Sequence, residues 1–167
     1  VHGSVGNAFR APAFYELYAP GFGNSALTPE QNFAYDAGYE QKILGERIRL
    51  DATYFENRFN DLVNFDFTSS AFENLATAKT SGWELTAEFR PVRQLLLRGG
   101  TTLWHTQDDD GRRLLRRPAQ TYTGQIIARP VKGLELSFDV IGVSGRKDFG
   151  AAGNVRNPGY VRADAAV

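Results

Sequence analysis

The feature that most constrains this chain is an alternation of apolar with polar or small residues at period two, sustained along most of its length. Phe33, Tyr35, Ala37, Tyr39 and Ile43 alternate with Ala34, Asp36, Gly38, Glu40 and Lys42. Ile48, Leu50, Ala52 and Tyr54 alternate with Arg49, Asp51 and Thr53, and Trp83, Leu85, Ala87 and Phe89 with Glu84, Thr86 and Glu88. Leu134, Leu136, Phe138 and Val140 alternate with Glu135, Ser137 and Asp139, and Val161, Ala163 and Ala165 with Arg162 and Asp164. Side chains along a strand point to opposite faces in turn, so each segment predicts a strand with one apolar face. Residues 95–106 and 117–129 fit less well, because Gly99, Gly100 and Gly124 interrupt them. No helical period competes over a comparable length.

The connections follow a rhythm of their own. Short turns fall at 44–46, 91–94 and 130–133, and long connections at 7–32, 67–79, 107–115 and 145–158. A soluble sandwich has no reason to collect its tight turns at one end and its long loops at the other. An outer-membrane barrel does, with short periplasmic turns and longer extracellular loops. The stretch 47–57 is long enough for the ~9–11 residues that a tilted spanning strand needs. This reading predicts an all-β, antiparallel, up-and-down transmembrane barrel wall of about eight strands, with the four long segments outside the cell. Asp36, Glu40, Arg49, Asp51, Glu84, Glu88, Glu135 and Asp139 then look into a wet lumen. Tyr35, Tyr39, Tyr54, Trp83, Phe89 and Phe138 are candidates for interfacial aromatic girdles. The alternative is a soluble antiparallel sheet that packs its apolar face on itself.

Composition narrows the chemistry. Nineteen basic and nineteen acidic residues balance to zero, which argues against a nucleic-acid partner. With no cysteine there is no disulfide framework and no thiolate metal site. Two histidines, His2 and His105, offer no recognisable catalytic partner set, so neither a catalytic residue nor a cofactor is assigned. No 18-residue apolar run occurs, which excludes a spanning helix but not a spanning strand. The chain starts Val1-His2-Gly3-Ser4, and is expected to be a mature protein or a piece of a larger one.

Several segments carry a family resemblance. Gly6-Asn7-Ala8-Phe9-Arg10-Ala11-Pro12, then Tyr15-Glu16-Leu17-Tyr18, then Asn24-Ser25-Ala26-Leu27-Thr28-Pro29-Glu30 resemble the signature of TonB-dependent outer-membrane receptors. The run from Tyr54 to Val63 is similar to an upward strand of that family. Asn74 to Lys79, followed by Ser81-Gly82-Trp83-Glu84-Leu85, is similar to its return strand, and Arg116-Arg117-Pro118 to the opening of a later one. Together these cover most of the chain in the expected order, and the nearest likeness is to vitamin B12 and siderophore receptors. The resemblance implies a bacterial outer-membrane receptor, not an enzyme, that binds cobalamin or a ferric siderophore and imports it with energy from the TonB system. It implies a plugged barrel of about 22 strands. On that basis residues 1–167 are expected to be a carboxy-proximal part of the barrel, without plug or remaining strands. A small eight-stranded structural or adhesive barrel is the alternative.

Candidate ligand contacts lie in the predicted extracellular loops. Tyr15, Tyr18 and Phe22 sit among glycines and prolines in 7–32, and Phe72 in 67–79. Aromatic groups on long ordered loops suit capture of a bulky ligand. The Phe9-Arg10-Ala11-Pro12 portion instead reads as an anchor for the loop. Arg112 and Arg113, with Arg116 and Arg117, suit an anionic ligand or lipopolysaccharide phosphates, or else pairing with neighbouring aspartates. Asp108, Asp109 and Asp110 could ligate calcium through oxygen, but they lack EF-hand spacing and read as a solvated turn, so no metal is assigned.

Overall fold

The computed structural model describes residues 1–66, 68–108, 110–150 and 153–167. The starting residue of the expected 67–79 connection, Phe67, lies outside that set, as do Asp109 and residues 151–152. Among the described residues, ten strands and one short helix run in the order β1 (His2–Arg10), α1 (Phe14–Tyr18), β2 (Glu30–Ile43), β3 (Ile48–Asp66), β4 (Ala71–Val92), β5 (Leu95–Asp108), β6 (Gln120–Ala128), β7 (Leu136–Val143), β8 (Arg146–Gly150), β9 (Gly153–Asn157) and β10 (Tyr160–Ala166). Eight form one antiparallel meander, β1-β2-β3-β4-β5-β6-β7-β10, while β8 and β9 pair as a separate hairpin. The outermost strands β1 and β10 are the two edges and do not pair with each other. The eight strands therefore form an open wall and do not close into a small barrel of their own.

Register turns the sequence alternation into two faces. Directly opposed residues of an antiparallel ladder share a face. One such row runs Leu50, Ala87, Gly99, Gly124, Val140, Ala163, and the next Ile48, Phe89, Leu97, Ile126, Phe138, Ala165. The opposite face carries Glu88, Arg98, Gln125 and Asp139 in one row. There Arg98 donates to Glu88 at 2.7 Å, and Gln125 to Asp139 at 2.7 Å. These cross-strand polar pairs stabilise a wet face.

Among the described residues, nothing packs on the apolar face. Leu50, Trp83, Phe89, Ile126 and Phe138 are 41–47% exposed, and the only buried apolar residues among those described are Ala19, Leu27 and Ala78. A soluble domain buries such a face against a second layer. The alternative of a sheet folded on itself is overturned by this bare band, whose medium is hydrocarbon. Toward the loop end the band finishes in contacting rings, Tyr35 tilted against Tyr54 at 6.4 Å and Tyr54 edge-on to Trp83 at 5.4 Å. Just beyond it charges appear on the same face. Glu56, only 3% exposed, receives Tyr54 Oη at 3.1 Å, Arg58 Nε at 2.8 Å and Lys79 Nζ at 2.9 Å.

Some boundaries differ from expectation. β1 reaches Arg10 because its whole length pairs with β2, so the following connection is shorter than 7–32 and contains α1. Most of the 67–79 connection is strand: β3 and β4 keep one register past the band to Asp66 and Ala71, making a projecting hairpin. The segment 145–158 contains the β8–β9 hairpin. β6 starts only at Gln120, after Pro118, which lacks the N–H a ladder requires. The tight turn at 44–46 is formed by Leu44, Gly45 and Glu46 at φ of 54°, 63° and 68°.

Candidate functional site

All the long connections emerge at one end of the sheet, and there the segment between β1 and β2 is strapped onto the β3–β4 hairpin. Arg10, the last residue of β1, makes a bidentate pair with Glu30, the first of β2, at 2.6 and 2.7 Å. It also donates to Glu16 of α1 at 3.2 Å. Glu30 accepts the Val63 N–H at 2.8 Å, and Glu16 accepts the Ala13 N–H at 2.6 Å, closing the start of the helix. Arg10 holds the Glu30 carboxyl below its usual range, against burial and helped by the Val63 N–H. The same carboxylates raise the Arg10 pKa.

Two asparagines complete the strap. Asn24 Nδ2 donates to the Phe72 carbonyl at 2.9 Å, and the Phe72 N–H donates to the Phe22 carbonyl at 3.1 Å. Asn74 accepts the Thr28 N–H at 2.9 Å and donates to the Thr28 carbonyl at 3.0 Å and the Asp61 carbonyl at 2.5 Å. Gly23 is required in this bend, because a Cβ there would lie 2.5 Å from the Ala19 nitrogen.

Tyr15, Phe22 and Phe72, all expected ligand contacts, come together in one ring cluster. Tyr15 meets Phe22 at 5.5 Å and Phe72 at 6.0 Å, while Phe65 meets Phe22 at 6.1 Å and Phe72 at 5.3 Å, all edge-on. Edge-to-face packing at these spacings is favourable beyond area burial. Tyr18 is outside the cluster, stacked on Phe14 at 6.3 Å and 65% exposed. Phe65 was not among the sequence candidates. Its alternation with Val63 and its position opposite Phe72 were the available signal.

The arginine segment belongs to another connection. Arg112 folds back on Asp108 at 3.5 Å and pairs with Asp110, and Asp108 also accepts the Arg112 backbone N–H at 2.8 Å. These aspartates are thus engaged by a cation of their own chain, and no metal-binding group of residues occurs among those described. Arg116 reaches Asp148 of β8 at 2.6 Å, and its N–H donates to the Lys147 carbonyl at 2.7 Å. Arg113 is exposed and makes no ion pair among the described residues.

A bare apolar belt, a polar opposite face, short turns at one end and strapped loops at the other define a wall of an outer-membrane β-barrel. The family model described as "TonB dependent receptor-like, beta-barrel" matches residues 1–167. The vitamin B12 transporter BtuB of Vibrio cholerae serotype O1 is 30% identical over 125 residues, 73% of this chain and 20% of the transporter. Among solved structures, the siderophore receptor PirA of Acinetobacter baumannii superposes with a TM-score of 0.76 at 17% identity, covering 96% of this chain and 31% of that one. A ferric enterobactin receptor mutant of Pseudomonas aeruginosa, PfeA in complex with enterobactin, superposes with a TM-score of 0.79 at 18% identity, covering 96% and 29%. The chain belongs to the TonB-dependent receptor β-barrels, proteins of the Gram-negative outer membrane. It spans about a fifth of the length of the curated transporters it matches. Its relatives are transporters and receptors, not enzymes.

Proposed function

We propose that this chain supplies wall and extracellular loops to a receptor that binds a scarce nutrient complex, cobalamin or a ferric siderophore, and imports it with TonB-coupled energy. On this reading residues 1–167 are one part of a larger plugged barrel of about 22 strands, and the TonB system acts through a plug outside them. The observation that carries the reading is the strapped loop: a long connection held by Arg10, Asn24 and Asn74 is a pre-organised platform. Ordering a loop before a ligand arrives removes an entropic cost of binding. The platform leaves Phe14, Tyr15 and Tyr18 62–84% exposed, and such rings suit a bulky, largely apolar ligand. Phe22 and Phe72 support Tyr15 from beneath. Arg113 is open to an anionic ligand group or a lipopolysaccharide phosphate, with Arg112 turned inward to its own aspartates. The bare belt meets membrane lipid.

The test uses the full-length receptor in outer membranes. Cyanocobalamin and iron(III) siderophores of catecholate and hydroxamate type are offered with and without a protonophore. The expected result is energy-dependent accumulation of one of them, with Tyr15→Ala and Tyr18→Ala weakening binding tenfold or more at unchanged receptor density. Binding of none of them, or accumulation indifferent to the protonophore, would overturn the proposal.

A further inference from the structure

A second surface lies on the outside of the wall, just beyond the apolar belt. Tyr54 and Trp83 oppose each other in the last ring row of that belt. Glu56 is two residues further along the same face of β3, and Arg58 four. Lys79 stands opposite Arg58, and Gln107 opposite Lys79, so all three share that outward face. Strand residues rise ~3.4 Å each and spanning strands tilt by about 45°, which sets Glu56 and Arg58 roughly 5 and 10 Å above the ring row. The loop end of such a wall is the extracellular end, so this is the headgroup level of the outer leaflet.

One buried carboxylate holds two cations outward here. Glu56 takes Arg58 Nε at 2.8 Å and Lys79 Nζ at 2.9 Å, while the Arg58 and Lys79 side chains are themselves 60% and 36% exposed. A guanidinium carries five donors and an ammonium three, so each keeps donors for a second partner. Two cations on one carboxylate leave a positive charge uncompensated, and neither makes another ion pair among the described residues. A recess of about 300 Å³ opens beside them, lined on the same face by Asn60, Thr77 and Gln107. Asp108 borders the recess but belongs to the other face of the ladder, where it holds Arg112. Phe33, opposite Arg58 on β2 and 47% exposed, adds an apolar flank.

We propose that this recess binds a phosphorylated sugar of lipid A, the anchor of lipopolysaccharide in the outer leaflet. The phosphate meets Arg58 and Lys79 in charge-assisted hydrogen bonds and neutralises their surplus charge. The sugar hydroxyls lie toward Asn60 and Gln107, and the acyl chains run down over the Tyr54–Trp83 row onto the belt. Glu56 is a positioning residue: it fixes where the two cations point and does not touch the lipid. The surface faces away from the lumen, so the imported ligand does not meet it, and cations at this level attract anionic lipid. The proposal rests on the facing of the wall and is independent of which nutrient is carried.

The test titrates the purified, delipidated full-length receptor in detergent micelles and counts bound lipid by native mass spectrometry. The probes are diphosphoryl lipid A, lipid A freed of its phosphates, and phosphatidylglycerol, which has a phosphate but no sugar. Arg58→Gln and Lys79→Gln, singly and together, remove the charges while keeping polar side chains. Lys132→Gln, an exposed lysine in the turn between β6 and β7 at the other end of the sheet, controls for net charge. Folding of each variant is checked by resistance of the unboiled barrel to dodecyl sulfate. The expected result is saturable binding of diphosphoryl lipid A, weakened tenfold or more by loss of its phosphates and in the Arg58→Gln/Lys79→Gln double variant. The single variants should fall between, and Lys132→Gln should bind as the native receptor does. Equal binding in the folded double variant, or none in the native receptor, overturns the site. Phosphatidylglycerol bound as tightly as lipid A would overturn it too, by showing a general anionic contact without recognition of the sugar.

Discussion

Arg10 joins three segments that are distant in sequence, the end of β1, the helix and the start of β2, through Glu16 and Glu30. Its bidentate geometry is the kind that lysine cannot reproduce. The Glu30 carboxyl is held down chiefly by Arg10, so this pair stabilises the strap fully above the ordinary glutamate value of 4.5. Its contribution falls away as pH drops through the lowered folded-state value. Amide exchange at Val63, corrected for the intrinsic pH dependence of exchange, should therefore accelerate on acidification in the native receptor. In Arg10→Gln it should be fast already at neutral pH, with a smaller further change; an unaltered acid response would disprove the pair's role. Gly82 is the other residue that sets geometry. In Gly82→Ala the new methyl would press on the Leu103 carbonyl and the Phe55 ring. Overpacking of that kind costs about 1–3 kcal/mol. Urea unfolding in lipid should show a lower midpoint, and an unchanged midpoint would mean that the strands part freely.

At the scale of elements, the projecting β3–β4 hairpin and the strapped loop behave as one unit. Asn74 contributes three hydrogen bonds across it, each of about 0.5–1.5 kcal/mol net. Asn74→Ala should raise amide exchange and protease cleavage within 11–29, while the amides of the spanning ladder stay protected. Equal loosening of both would show that loop and wall are not separable. The strap was partly legible beforehand. The Phe9-Arg10-Ala11-Pro12 segment was expected to anchor the loop, and Arg10 ties it to Glu16 and Glu30, but neither those partners nor the Glu30 bond to Val63 could be named, because nothing local specifies a contact such as the last, over 33 residues. The hairpin's length was missed for a similar reason. Asn60, Asp61 and Asn64 resemble loop composition, yet cross-strand pairing resumes beyond Asp61 and continues from Leu62 to Asp66. Tyr15, Tyr18, Phe22 and Phe72 were chosen as rings on loops. Only the fold separates the three that pack together from Tyr18, which does not.

For the whole molecule, the two faces carry the central prediction. Leu50 lies in the apolar belt and Thr53 on the polar face beside Asp51, to which its hydroxyl donates at 2.9 Å. Arginine on the lipid face near the midplane costs about 2–4 kcal/mol. Leu50→Arg should reduce insertion into lipid vesicles by that amount, and Thr53→Arg, near a carboxylate in a wet lumen, should insert normally. Equal insertion of both would remove the assignment of faces. Strand identity, facing and the division into a turn end and a loop end follow from the sequence alone, since a period of two is a local consequence of backbone geometry. The exposed belt, the open edges at β1 and β10 and the strap were decided only in three dimensions. Each depends on which distant strands and loops meet, and ladder pairing brings together side chains whose separation along the chain carries no local signal.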